Sequence, residues 1–97
     1  MTETDAIQSA PVDHNLAAQQ FELRVGTMIC LLQYRLNNGK MIVYHTEVPP
    51  PIQNRGLAER MTKAALEFAR GEKLKVEPRC PYTARFLRRH REYSDLL

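Results

Sequence analysis

With 97 residues, 43% of them hydrophobic and 26% charged, the chain has apolar content for one small globular domain and too few residues for two. No apolar run approaches the length of a membrane span, and the first residues are polar and acidic rather than those of a secretory signal, so a cytoplasmic protein is expected and a membrane or exported one is not. The net charge of +3 is uneven: every charged side chain before Arg24 is an acid, whereas Arg79, Arg85, Arg88, Arg89 and Arg91 crowd the other end.

Residues 1–11 are polar, end at Pro11 and read as a flexible tail, leaving 12–97 as the single domain. Val12 to Leu16 suggests a short edge strand. Phe21-Glu22-Leu23-Arg24-Val25 alternates with period two and stops at Gly26, the pattern of a half-buried strand. Thr27 to Arg35 is apolar at both parities through Met28, Ile29, Cys30, Leu31 and Leu32, so a strand covered on both faces is expected. Asn37-Asn38-Gly39 is a strong hairpin signal, since Asn-Gly readily takes positive φ, and Lys40 to Val48 then returns antiparallel.

After the proline cluster Pro49-Pro50-Pro51 the period changes to 3.6. From Asn54 to Arg70 the apolar stripe is Leu57, Met61, Ala64, Ala65 and Phe68, with Glu59, Lys63 and Glu67 opposite, and Gly71 is the expected stop. Lys73 to Glu77 makes a short strand ended by Pro78. A strand–helix–strand unit of this length implies a right-handed crossover, pairing 73–77 parallel to 41–48. Pro81 suits the first turn of a last helix, about 82–90, with Tyr82, Phe86 and Leu87 inward, and Asp95-Leu96-Leu97 either tucks against the core or is loose. The fold class is α/β (α+β): an antiparallel meander, one parallel crossover and a short C-terminal helix.

Ligands of such sheets sit beyond the strand C-termini, where loops 48–56 and 78–82 both fall. Strand, tight loop and helix start form a cradle for a diphosphate, because first-turn N–H groups have no intrahelical partners. Gln53-x-x-Gly56-x-Ala58 would supply that cradle, although a lone glycine between strand and helix is more often only a turn. Two cysteines without a secretory signal read as free thiols, and no CxxC or HxxxH spacing exists, so no metal site is expected. The C-terminal arginines suit an anionic partner or a solvated helix face. Tyr82 and Phe86 lie i, i+4 on a helix rather than interleaved on exposed strands, so nucleic acid is not the expected partner.

At His45-Thr46-Glu47-Val48-Pro49, Gly56-Leu57-Ala58 and Pro78-Arg79-Cys80-Pro81-Tyr82 the chain resembles the small single-domain proteins of the GNAT (N-acetyltransferase) superfamily over about 12–97. The superfamily's acyl-CoA motif, Gln/Arg-x-x-Gly-x-Gly/Ala, is matched by Gln53, Gly56 and Ala58. The small group's Arg-His-Pro-Glu-Tyr becomes Arg89-His90-Arg91-Glu92-Tyr93, with Arg91 at the proline's place. The resemblance implies a minimal acyl-CoA N-acyltransferase-like fold and acetyl-CoA as acyl donor. Its site would comprise Val48, Gln53, Asn54, Arg55, Gly56, Leu57, Ala58 and Tyr82. It further implies an N-acetyltransferase acting on an amine of unknown identity, with a protein or peptide among the candidates. The alternative is a CoA-binding interaction module with little or no turnover.

Transfer to an amine needs a base, a polarised carbonyl and a proton for the leaving thiolate. Glu47 is the candidate base, unless it merely pairs with an arginine. His45 shares its strand parity, and is otherwise a hydrogen-bonded histidine at the edge of the core. Cys80, beside Arg79 and a helix start, is the candidate proton donor or acetyl acceptor, against the simpler reading of a small buried hydrophobe. Direct transfer assisted by Cys80 is the expected route. The chain has no room for the larger superfamily domain's acceptor wall, and a homodimer is one way to supply it.

Overall fold

Asn38 and Gly39 both take positive φ, 53° and 76°, the sign pattern of the two-residue hairpin turn whose twist matches that of its strands. In the computed structural model, which describes residues 3–97, this turn joins β3 (Met28–Asn37) to β4 (Lys40–Glu47). With β1 (Val12–Asn15), β2 (Gln20–Val25) and β5 (Lys75–Pro78) they form a five-stranded sheet in the order β1-β2-β3-β4-β5. The first four strands pair antiparallel in succession, and β5 joins β4 in parallel, Lys40 opposite Lys75 through Val43 opposite Pro78. The fold class read from the sequence, including the parallel crossover, is the one observed.

The crossover helix α2 (Leu57–Gly71) lies on one sheet face, with α3 (Pro81–Arg89) after β5. Phe21, Leu23, Val25, Cys30, Leu32, Tyr34, Met41, Val43 and Val76 meet Leu57, Met61, Ala65, Leu66, Ala69, Phe86 and Leu87 in one continuous core. The stripe of α2 is rotated from the expected one: Thr62, Leu66 and Ala69 are buried, whereas Ala64 and Phe68 are half-buried. Thr62 fits because its hydroxyl donates to Ala58 O at 2.7 Å. Phe68 instead joins His14, Phe21 and Tyr34 in an aromatic cluster.

Coverage of β3 on both faces is not what forms. All the helices serve one side, leaving Leu31 and Ile42 half-buried and Ile29 and Tyr44 exposed on the other. The tail expected over 1–11 is also different, because Glu3–Ser9 forms helix α1 and Ile7 and Ala10 are buried. Arg60 on α2 draws it in, donating to the carbonyls of Ile7 and Ala10. Met1 and Thr2 lie outside the described residues. Helix α2 ends at Gly71 as expected, but Gly71 is itself helical and is not the left-handed cap. Lys73 takes the left-handed conformation, φ 58°, two residues later. The C-terminal 3₁₀ segment Arg91–Leu96 tucks in through Tyr93 and Leu96.

Candidate functional site

Val43 O is where β4 and the following chain part company. It accepts from both Arg79 N and Cys80 N at 2.9 Å, the last main-chain bonds between the two segments. The β3–β4 register also shifts at Gln33/Tyr34: Gln33 faces His45 and Tyr34 faces Val43, so Tyr44 is the extra residue. A bulge bends its strand and re-aims the side chains beyond it. Here the end of β4 swings from the start of α3 and opens a cleft of about 500 Å³.

One wall of the cleft is Thr46 and Val48 and the other is Tyr82 and Arg85, while Gln53, Asn54, Gly56, Leu57, Ala58 and Glu59 form its end. The loop at that end is fixed by its own bonds. Ile52 is fully buried, Ile52 N bonds Pro49 O at 3.0 Å, and Gln53 Nε2 donates to Val48 O at 2.9 Å. Gly56, φ 79°, turns the chain into α2 without any side-chain cap. A Cβ built on Gly56 meets nothing within 4 Å. The first-turn N–H groups of α2 therefore begin beside open space, the setting in which a helix N-terminus receives an anion.

Of the cofactor-site residues expected from the sequence, Val48, Gln53, Asn54, Gly56, Leu57, Ala58 and Tyr82 come together on this cleft, and Arg55 does not line it. Thr46, Glu59 and Arg85 were not anticipated. Thr46 had a legible signal, since strand parity puts it on the same side as Val48 and opposite Glu47. By that parity His45 and Glu47 face the open side of the sheet. Their side chains are 48% and 60% exposed, and His45 Nε2 lies 3.4 Å from Glu47 Oε1.

Cys80 is buried at the start of α3, with its thiol donating to Thr46 Oγ1 at 3.5 Å. Burial pushes this thiol up, but the Thr46 hydroxyl, the amides of Thr83 and Tyr82 and the Thr83 hydroxyl outweigh it, leaving Cys80 below its ordinary value. Those amides belong to the first turn of α3, whose N–H groups have no intrahelical partners. Thr83 Oγ1 is buried without a partner, and its hydroxyl is a donor that a thiolate accepts from more strongly than a thiol does. Tyr82 shifts the other way: burial first, then the Glu59 carboxylate, keep its phenol protonated above the usual range. Cys30, in mid-strand, is a free thiol raised by burial. Among the described residues no group of three or more His, Cys, Asp or Glu side chains is placed to hold a metal ion, and no helix is long and apolar enough to cross a membrane.

Residues 20–96 match the model of the family described as GCN5-related N-acetyl-transferase. Protein NATD1 of Homo sapiens is 35% identical over 83 residues, covering 79% of this chain and 71% of that protein. Protein NATD1 of Xenopus tropicalis is 30% identical over 88 residues, 87% of this chain and 80% of that one. The solution structure of a GCN5-like protein from Staphylococcus aureus superposes with a TM-score of 0.73 over 99% of this chain and 89% of its own, at 20% identity, a likeness of fold.

Proposed function

This chain belongs to the GCN5-related N-acetyltransferase family, and from that premise we propose that it moves an acetyl group from acetyl-CoA to an amine. The cleft between the bulged end of β4 and α3, closed at one end by the uncapped start of α2, is the observation that carries this reading. The donor set fits the cofactor. Orphan N–H groups and a glycine without a Cβ suit a diphosphate, and the Thr46, Val48 and Tyr82 walls suit a narrow, mixed polar and apolar arm. Bound there, acetyl-CoA supplies an activated acetyl thioester.

The chain's own residues divide the remaining work. Tyr82 Oη, protonated at neutral pH, and the Cys80 thiol stand on the α3 side as proton donors toward the leaving sulfur. Glu47, with His45 beside it, takes the amine's proton from the open side of the sheet, directly or through water. The acceptor, a protein or peptide amine among the candidates, approaches from that side, and a second copy of the chain over Ile29, Leu31, Ile42 and Tyr44 would supply its missing wall. The location that goes with this reading is the cytoplasm. One observation favours a second reading, that of a CoA-binding module with weak turnover: Glu47 and His45 lie off the cleft wall and are paired with each other.

Calorimetry with acetyl-CoA, together with turnover on a panel of amines and peptides, separates the readings. The parent is expected to bind and to acetylate, and Glu47→Gln to bind alike but acetylate at least about tenfold more slowly. Binding without turnover anywhere on the panel selects the module, and absence of binding rejects both. Intact mass after incubation with acetyl-CoA alone checks the direct route. Little stable adduct is expected, with reduced but measurable activity in Cys80→Ala. Light scattering at assay concentration tests the dimer, a monomer counting against it.

A further inference from the structure

Past Tyr82 the cleft runs into a second hollow of about 290 Å³, lined by Glu59, Tyr82, Arg85, Phe86, Arg89 and His90. Glu59, Tyr82 and Arg85 line both, so the two make one groove from the start of α2 along α3. Arg85 and Arg89 are i, i+4 neighbours on that wall, and among the described residues no ion pair engages either. The carboxylate facing them, Glu59, is offset by Lys63 Nζ at 3.2 Å. The His90 ring closes the far end. Its Nδ1–H donates to Phe86 O at 2.9 Å and it stacks on Phe86 with centroids 3.8 Å apart.

The hollow thus offers two arginines, rooted a turn apart on one helix face, at the far end of a groove whose near end is the proposed diphosphate cradle. Guanidinium forks match phosphate oxygens, and a doubly charged phosphomonoester draws more from them than a diester does. We propose that this hollow takes the phosphomonoester end of the acyl donor, the 3′-phosphate of its adenosine, with Arg89 as the residue that reads it and Arg85 shared between it and the diphosphate. The inference rests on the acetyl-CoA reading. It also separates these two arginines from the general basic character of the C-terminus: Arg79 is held by Glu77 at 2.5 Å, and Arg88 and Arg91 do not line the groove.

Calorimetry of the full chain at low ionic strength, with acetyl-CoA and acetyl-3′-dephospho-CoA, tests the inference. Loss of the 3′-phosphate is expected to weaken binding by about tenfold or more, the worth of a charge-assisted contact. Arg89→Gln is expected to bring the two ligands to about equal affinity while leaving the dephospho ligand within about twofold of the parent's value. Arg85→Gln is expected to weaken both ligands. Equal affinity of the parent for the two would overturn this assignment and leave the acetyl-CoA reading standing, as would a preference that survives both substitutions. If neither ligand binds the parent, both fall together.

Discussion

At its C-terminal end α2 closes upon itself: Leu74 N–H donates to Ala69 O at 2.8 Å and Lys73 N–H to Arg70 O at 3.2 Å, with Lys73 left-handed. That double bond is the Schellman arrangement, which satisfies carbonyls the helix leaves over. Arg70 then stitches the end to the C-terminal segment, donating to Glu92 O at 3.0 Å and to Asp95 Oδ1 at 2.9 Å, while Lys75 Nζ donates to Asp95 O at 2.7 Å. The N-terminal end also turns on a left-handed residue, Gly56, yet no side chain caps it and its first turn borders a cleft. One end is completed by protein, whereas the other has no side-chain cap and borders open space. Where the backbone groups of a helix end find partners is a better guide to the site than the mere presence of a helix start.

Substitution at Gly56 should break this contrast with the largest effect. Gly56→Val puts a β-branched residue at φ 79° and points its side chain into the cleft. Acetyl-CoA affinity is expected to fall by well over about tenfold, and the denaturation midpoint to fall as well, because a left-handed non-glycine costs about 1–2 kcal/mol. Gly56→Asn separates the two causes, since asparagine tolerates that conformation but still fills the space. Retained stability with lost affinity is the expected result. Retained affinity in both variants would remove the cradle.

The closed end predicts an acid-sensitive stitch. The Arg70 hydrogen bond holds the Asp95 carboxyl below its usual range, outweighing desolvation. A carboxyl with a depressed folded pKa adds stability that is present above the unfolded value of about 3.9 and is lost as pH falls through the folded one. Urea midpoints between pH 7 and pH 2.5 should therefore drop less in Asp95→Asn than in the parent, with the variant less stable at pH 7. Arg70→Ala should behave alike and also lose the ring contact with Tyr93, 5.1 Å away. Identical pH profiles would show that the stitch carries no weight.

How legible these features are from sequence depends on the range of the interaction that fixes them. The Asn38-Gly39 hairpin and the parallel crossover follow from local chemistry and chirality, and both are where the pattern puts them. Gln53, Asn54, Gly56, Leu57 and Ala58 line the cleft at the loop that the family resemblance singles out, whereas Arg55 within it does not. Other features depend on contacts distant in sequence. Helix α1, over a polar stretch, is tied down by Arg60, some fifty residues away, which donates to the carbonyls of Ile7 within it and Ala10 just after it. The open face of β3 is invisible in its run of apolar residues, since a helix on one side and none on the other leaves the same sequence signature. Side-chain direction at the end of β4 was partly legible. Val48 and Glu47 cannot both face one cleft, and parity selects Thr46 as the partner of Val48. The groove arginines Arg85 and Arg89 needed the positions of α2 and α3 together.

The smallest effect expected is a gain, and it comes from exchanging what the two ends of α2 have in common. Gly71 looks like the residue that ends the helix, but it is helical, and the left-handed position falls on Lys73 at φ 58°. A lysine there carries a Cβ that crowds the following carbonyl, a cost glycine avoids. Lys73 engages no ion pair among the described residues, and its main-chain bond to Arg70 O does not depend on the side chain. Lys73→Gly should therefore stabilise the fold by about 0.5–1 kcal/mol, reduced somewhat by the greater freedom of glycine in the unfolded chain. Gly71→Ala adds a Cβ that meets nothing within 4 Å, on a residue without positive φ, and should add a comparable amount by helix propensity. Urea denaturation of the two single variants and the double variant measures both. If the end of α2 is closed as described, each raises the midpoint while acetyl-CoA affinity stays at the parent's value, because neither touches the cleft at the other end. A fall in stability for Lys73→Gly would mean that the lysine side chain, rather than the backbone turn, holds that end.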